Sequence, residues 1–111
     1  MRRFVVLFLL FIMTVLPACR EQSKEEIFQQ GMEFVRAGNY QAAVTLFKDA
    51  LDKDQNYIDA RVQLGIGYLE TGKIDKAENE LAKARRQSPD NVSISIHLAE
   101  IYLKTKRPKQ A

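Results

Sequence analysis

Few residues in this sequence have the means to do chemistry. Cys19 is the only thiol and His97 the only imidazole. A single thiol makes no internal disulfide and no thiolate zinc site. His97 has no cysteine to share a metal with and sits among apolar neighbours in a helical stretch. It reads as an ordinary helix-surface or groove histidine rather than a base or ligand. Gly65-Ile66-Gly67 has the look of a phosphate loop, but no strand precedes it, a third glycine is missing and no Lys-Ser/Thr follows. Glu78 and Glu80, set beside Lys76 and Lys83, read as a solvated helix face and not as a carboxylate pair for acid–base work. The sequence therefore argues against an enzyme and calls for no cofactor and no metal. Only Cys19 keeps a chemical role.

The segment that positions Cys19 begins with Met1-Arg2-Arg3, then runs apolar for thirteen residues from Phe4 to Leu16. Crossing a bilayer takes about 20 apolar residues, so this run has the size of a signal-peptide core. Leu16-Pro17-Ala18-Cys19 follows and resembles the lipobox of bacterial lipoproteins, with Pro17 departing from the usual Ala, Ser or Thr. The resemblance implies that the Cys19 thiol receives a diacylglyceryl group, that residues 1–18 are removed, and that 19–23 form a lipidated tether. Without lipidation, the stretch would be an ordinary signal peptide or an uncleaved anchor. The charge supports this division. Lys and Arg total 17 against 14 Asp and Glu, for a net +3, and two of the cations are Arg2 and Arg3. What remains is nearly neutral and has no basic cluster interleaved with aromatics, which excludes nucleic acid as a partner.

Beyond the tether, the sequence repeats itself every 34 residues. Gly31, Gly65 and Ala99 share one register; Phe34, Tyr68 and Tyr102 share another. Gly38 matches Gly72, and Ala43 matches Ala77 and Ala111. Phe47 matches Leu81, Ala50 matches Ala84, and Gln55 matches Pro89. Each unit reads as two antiparallel helices. Ser23 and Glu26 form a capping-box pattern at the first start. Gly38 and Gly72 suit left-handed helix ends. Ser88-Pro89-Asp90-Asn91 turns the chain after the second unit. Gly31, Ala43 and Ala50 let the helix axes approach, and Phe34 and Phe47 fill the space between them. Such a unit buries its apolar face only by stacking on a neighbour.

These residues, with Leu64 and Leu98 before the small residues of the second and third units, resemble the tetratricopeptide repeat (TPR). The large aromatic common in the first helix of that family is replaced by Ile27, Arg61 and Ser95. The resemblance implies an all-α solenoid, a right-handed superhelix of helix-turn-helix repeats. Repeat 1 covers 24–57, repeat 2 covers 58–91, and a partial third covers 92–111. Gly31, Phe34, Ala43, Phe47, Ala50, Leu64, Gly65, Tyr68, Ala77, Leu81, Ala84, Pro89, Leu98, Ala99 and Tyr102 are the expected repeat-packing set. Pro108 suits the first turn of a sixth helix, and Ala111 falls one turn into it. A continuing array is therefore expected beyond residue 111. The alternative is a short protein whose helix 92–105 caps the stack or self-associates.

In the family, the first helix of each repeat lines a concave groove. By register its lining here is Phe28, Met32, Val35 and Arg36, then Val62, Ile66, Leu69 and Glu70, then Ile96, Glu100, Leu103 and Lys104. The lysines and asparagines with which chaperone-type TPR domains clamp a carboxylate are missing. This apolar lining suits an extended or helical peptide of a protein partner. The whole is expected to be a membrane-tethered scaffold on the periplasmic or extracellular face. Arg20 after the cysteine, in place of Asp, favours the outer membrane in a Gram-negative host. The layout is similar to TPR lipoproteins of PEP-CTERM/exosortase, pilus-assembly and outer-membrane assembly systems. Two other readings stand beside it: the N-terminal part of a larger envelope protein with a catalytic or glycan-handling domain, and a self-associating module.

Overall fold

The first helix starts where a side chain can replace a missing backbone partner. The Glu26 N–H donates to Ser23 Oγ at 3.1 Å, which satisfies one of the orphan donors of a helix start. The Glu26 carboxylate does not complete the reciprocal capping box; it pairs with Arg20 instead, at 3.1 Å. Helix α1 runs Lys24–Arg36. Four more follow among the described residues: α2 Tyr40–Lys53, α3 Ile58–Glu70, α4 Ile74–Gln87 and α5 Val92–Thr105. Asn39 caps α2 through the Ala42 N–H, and Asn91 caps α5 through the Ile94 N–H. The computed structural model describes residues 20–105.

The turns inside each repeat are built alike. Gly38 and Gly72 have φ of 75° and 79°. In both, the glycine N–H bonds back three residues and the next N–H bonds back five, to Phe34 O and Tyr68 O at 2.8 Å. This double closure satisfies the last helix carbonyls and requires a left-handed residue, which glycine adopts without a Cβ clash. Between repeats the chain turns differently. Asp54 accepts from the Asn56 N–H at 2.9 Å, and Pro89 disfavours helical backbone at Ser88.

The helices stack in chain order, α1 on α2 through to α4 on α5, and α3 also touches α5. This is an all-helical solenoid of two helical hairpins and one further helix among the described residues. Its core is one continuous cluster from Ile27 to Ile101. Ala43, Ala50, Ala77 and Ala84 are wholly buried, as are Phe47 and Leu81. A Cβ built on Gly31 would lie 2.5 Å from Phe47 Cε1, and one on Gly65 would lie 2.6 Å from Leu81 Cγ. The small residues thus set the distance between paired helices. Among the described residues no helix is long and apolar enough to cross a membrane.

Candidate peptide-binding groove

Gly31 and Gly65 mark the line on each first helix that faces its own second helix. At 100° per residue, Phe28 and Val35 flank Gly31 within about 60°, as Val62 and Leu69 flank Gly65. These positions must straddle the helix crossing. Met32 and Ile66 lie about 100° away, and Arg36 and Glu70 about 140° away, on the side turned to the groove.

The structure corrects two expected lining residues on this ground. Val62 and Leu69 are 8% and 5% exposed and belong to the core. They sit in the middle of the stack, with helices on both sides. Phe28, Met32, Val35 and Ile66 are half-buried and rest against the core with one side open. Arg36 is exposed and ion-paired with Glu33, and Glu70 is exposed. On α5, Ile96 and Leu103 are 59% and 80% exposed. They occupy the register of Val62 and Leu69, but no second helix among the described residues covers them. Glu100 bridges to Lys104 at 3.0 Å, and the Lys104 ammonium holds its carboxyl below the usual range. His97 Nδ1 stands 3.7 Å from Glu100 Oε2, beyond hydrogen-bond reach, and is buried without a partner. The open apolar floor of the groove is therefore Met32 and Ile66, with Phe28 and Val35 at its side and charges along its edge.

The repeat-packing set needs two further corrections. Phe34 is 40% exposed, whereas Tyr68 in the same register is buried. Tyr68 reaches the preceding repeat, sharing a cleft with Lys48 and Leu51 of α2, while Lys73 and Lys76 lie over its ring. Phe34 has no such neighbour among the described residues. Pro89 is exposed in its turn and packs nothing; it ends α4. Ala99 and Tyr102 are half-buried, and Leu64 and Leu98 are buried.

The sequence reading missed Arg61, which lies in the core of α3. Its Nη1 donates to Glu80 Oε2 at 2.6 Å and its Nη2 to the Gln55 carbonyl at 2.7 Å. Glu80 is therefore not part of a solvated face; its side chain, 15% exposed, is the half-buried partner of a charge that has taken the place of the family's aromatic. The signal was available: a guanidinium between Ala60 and Val62 on a helix apolar all round needs an acid.

At the start of the stack, Lys53 donates to Glu21 at 2.6 Å, and Lys24 is bonded to Asp54. These pairs bind Glu21 and Lys24 to the end of α2. Lys24 also lies 5.2 Å from the centre of the Tyr57 ring, which meets the Phe28 ring at a tilt of 45° with centroids 5.3 Å apart. Cys19, with residues 1–18, lies outside the described residues, as do Pro108 and Ala111. Among the described residues no group of His, Cys, Asp or Glu could hold a metal.

The comparisons with known proteins agree with this geometry. A family model described as tetratricopeptide repeat matches residues 34–90 and 68–111. The chain is 28% identical over 64 residues to the TPR repeat-containing protein YsoA of Bacillus subtilis, covering 58% of this chain and 19% of that protein. Among solved structures, MamA AMB-1 superposes with a TM-score of 0.67 at 29% identity, over 75% of this chain and 45% of its own. The chain thus spans less than half the length of the relatives it matches. Its helical hairpins, its small residues at the crossings and its 34-residue register all place this chain in the tetratricopeptide repeat family, whose repeats serve as scaffolds for protein–protein interaction.

Proposed function

We propose that this chain is a lipid-tethered TPR scaffold that holds an apolar peptide segment of a protein partner in a bacterial envelope process. The observation that carries the binding reading is the half-open apolar floor of Met32 and Ile66, which no helix among the described residues covers. Apolar side chains anchor such a peptide, and the charges of Arg36, Glu70, Glu100 and Lys104 along the edge select its flanks. The tether reading rests on Leu16-Pro17-Ala18-Cys19. The pairs Glu21–Lys53, Arg20–Glu26 and Lys24–Asp54 support it, since they hold the first residues after Cys19 against the first repeat. An acyl group on Cys19 would then keep the first repeat within about 10–15 Å of the membrane surface. Arg20 in the place of Asp favours the outer membrane, and secretion, surface-polymer export or pilus assembly are the processes that fit such a scaffold.

Two measurements test the two halves separately. Labelled palmitate should enter the wild type and not Cys19→Ala; equal labelling refutes the tether. Affinity capture on the full-length lipidated protein should return an envelope protein that Ile66→Glu and Met32→Glu each release. A partner retained by both variants refutes the groove.

A further inference from the structure

A narrow cleft runs along α3 on the side away from the groove. Ile66 and Tyr68 are two residues apart, so they point about 160° apart on that helix. Arg61, Leu64 and Tyr68 floor the cleft, between walls of α2 and α4 that enclose about 190 Å³. Its Arg61 end is neutral: Arg61 and Lys83 share Glu80, and Asp52 balances the second cation. Its Tyr68 end is not. The turn at Gly72 folds α4 back so that Lys73 Nζ and Lys76 Nζ stand 6.0 and 5.7 Å from the centre of the Tyr68 ring. The Gln55 carbonyl meets Arg61, so Lys48, two turns before Gln55, lies level with Tyr68, two turns after Arg61.

These three lysines form no ion pair, although Asp75 shares the turn of Lys73 and Lys76. Every other lysine of the described residues is paired: Lys24 with Asp54, Lys53 with Glu21, Lys83 with Glu80 and Lys104 with Glu100. The repeat itself does not call for them. Repeat 1 makes the same turn with Phe34, Asn39 and Ala42 where repeat 2 has Tyr68, Lys73 and Lys76. Asn39 caps α2, whereas Lys73 leaves α4 without a side-chain cap and puts cations where the helix dipole disfavours them. Tyr68 is 8% exposed, yet its hydroxyl has no hydrogen-bond partner. The enclosed side-chain atom without a partner among the described residues is His97 Nδ1, so the Tyr68 hydroxyl opens to the cleft.

We propose that the Tyr68 end of this cleft binds a phosphate group, held by Lys48, Lys73 and Lys76 and by a hydrogen bond donated from the Tyr68 hydroxyl. The site is separate from the groove and does not rest on the groove reading. An anion there relieves the repulsion of three cations gathered without counter-charge. Lysines supply separate point charges, which suit a tetrahedral phosphate; the planar fork that suits a carboxylate belongs to Arg61, and Glu80 and Gln55 already occupy it. The cleft is smaller than the roughly 300–1,000 Å³ of a pocket for a whole small molecule, so it takes the phosphate and leaves the rest of the ligand outside. A lipid headgroup and a free phosphate ester both present that group.

The test is an NMR titration of the full-length chain in nonionic detergent micelles. Inorganic phosphate should shift the Tyr68 ring and the Lys73 and Lys76 amides saturably, and chloride at matched ionic strength should not. Lys48→Gln and Lys76→Gln should each weaken binding ~3- to 5-fold, and Tyr68→Phe, which keeps the ring, ~3-fold. Lys53→Gln, at a lysine already paired with Glu21, should leave it unchanged. A second arm dopes the micelles with phosphatidylglycerol. Shifts of the same residues at lower lipid than inorganic phosphate assign the group to a headgroup; shifts with inorganic phosphate alone assign it to a soluble ester. No saturable shift in either arm, or affinity indifferent to both Lys48→Gln and Tyr68→Phe, overturns the proposal. So does a tetraglutamate peptide that binds these residues more tightly than phosphate, which would give the site to an acidic protein segment.

Discussion

Gly31→Ala tests whether the glycine at the crossing sets the spacing of the first hairpin. The added Cβ would meet three atoms of the Phe47 ring, at 2.5, 3.0 and 3.0 Å. Carbon atoms rest at about 3.5–4.0 Å, so the ring must retreat by about 1 Å. Phe47 is wholly buried, and its ring is already in contact with Phe28 at 5.6 Å between centroids. Overpacking of this kind costs about 1–3 kcal/mol. Replacing a mid-helix glycine by alanine returns about 1 kcal/mol. The net is a loss of up to about 2 kcal/mol, or a fall in Tm of about 4–8 °C per kcal/mol for a domain of this size. Urea unfolding of the chain without residues 1–18, followed by far-UV circular dichroism, reads the change. Phe47→Leu removes ring atoms from the clash, so the double variant should be less destabilised than the sum of the two singles by at least about 0.5 kcal/mol. Ala99→Gly gives the contrast. Ala99 is half-buried and faces no second helix among the described residues, so the variant should lose about 1 kcal/mol of helix propensity and gain nothing from packing. A urea midpoint raised by Gly31→Ala, or strict additivity with Phe47→Leu, would refute the spacing argument.

Three other outcomes follow from the geometry. Glu80→Ala strands the Arg61 guanidinium and should cost about 1.5–3 kcal/mol in chemical unfolding, while Arg61→Met with Glu80→Leu should come out close to neutral. Gly72→Ala must place a side chain at φ of 79° with nothing within 4 Å of its Cβ, so its loss of about 1–2 kcal/mol is purely conformational; Gly72→Asn should lose less on thermal unfolding. The Lys24–Asp54 pair should respond to acid: Lys24 and the Asn56 N–H hold the Asp54 carboxyl below its ordinary value, so its contribution is full above about pH 3.9 and vanishes as pH falls through the lowered value. Lys24 is raised by the same bond, so its side of the pair is full below about pH 10.4 and lost only as pH climbs through the raised value. The Asn56 amide, which donates to the Asp54 carboxylate, should show a titration step between pH 2 and 7 in the wild type that Asp54→Asn removes.

Much of the fold was legible because it is written in spacing. The 34-residue register, the glycines after α1 and α3, and the alanines of α2 and α4 each report a local need: a left-handed turn, or a close helix approach. Those needs act within one hairpin, so one hairpin's sequence displays them. The bounds of α5 could be read off directly for the same reason. The caps were half legible. Ser23 was, but the choice of Glu26 between the backbone and Arg20 depends on where a neighbouring side chain lies.

What sequence alone determined, then, is the repeat: two helices, their turn, and which small residue meets which large one. What only the tertiary structure decided is how each copy of that repeat fares in its place. Val62 and Leu69 are core because helices flank α3 on both sides, while no second helix among the described residues covers Ile96 and Leu103 in the same register. Phe34 and Tyr68 share a position, yet only Tyr68 has a preceding hairpin to lean on. Arg61 looked like a missing aromatic and became a buried ion pair, since Glu80 comes within reach only when α4 folds back on α3. Burial is a property of neighbours, and in a stack the neighbours change from one end to the other while the motif stays the same.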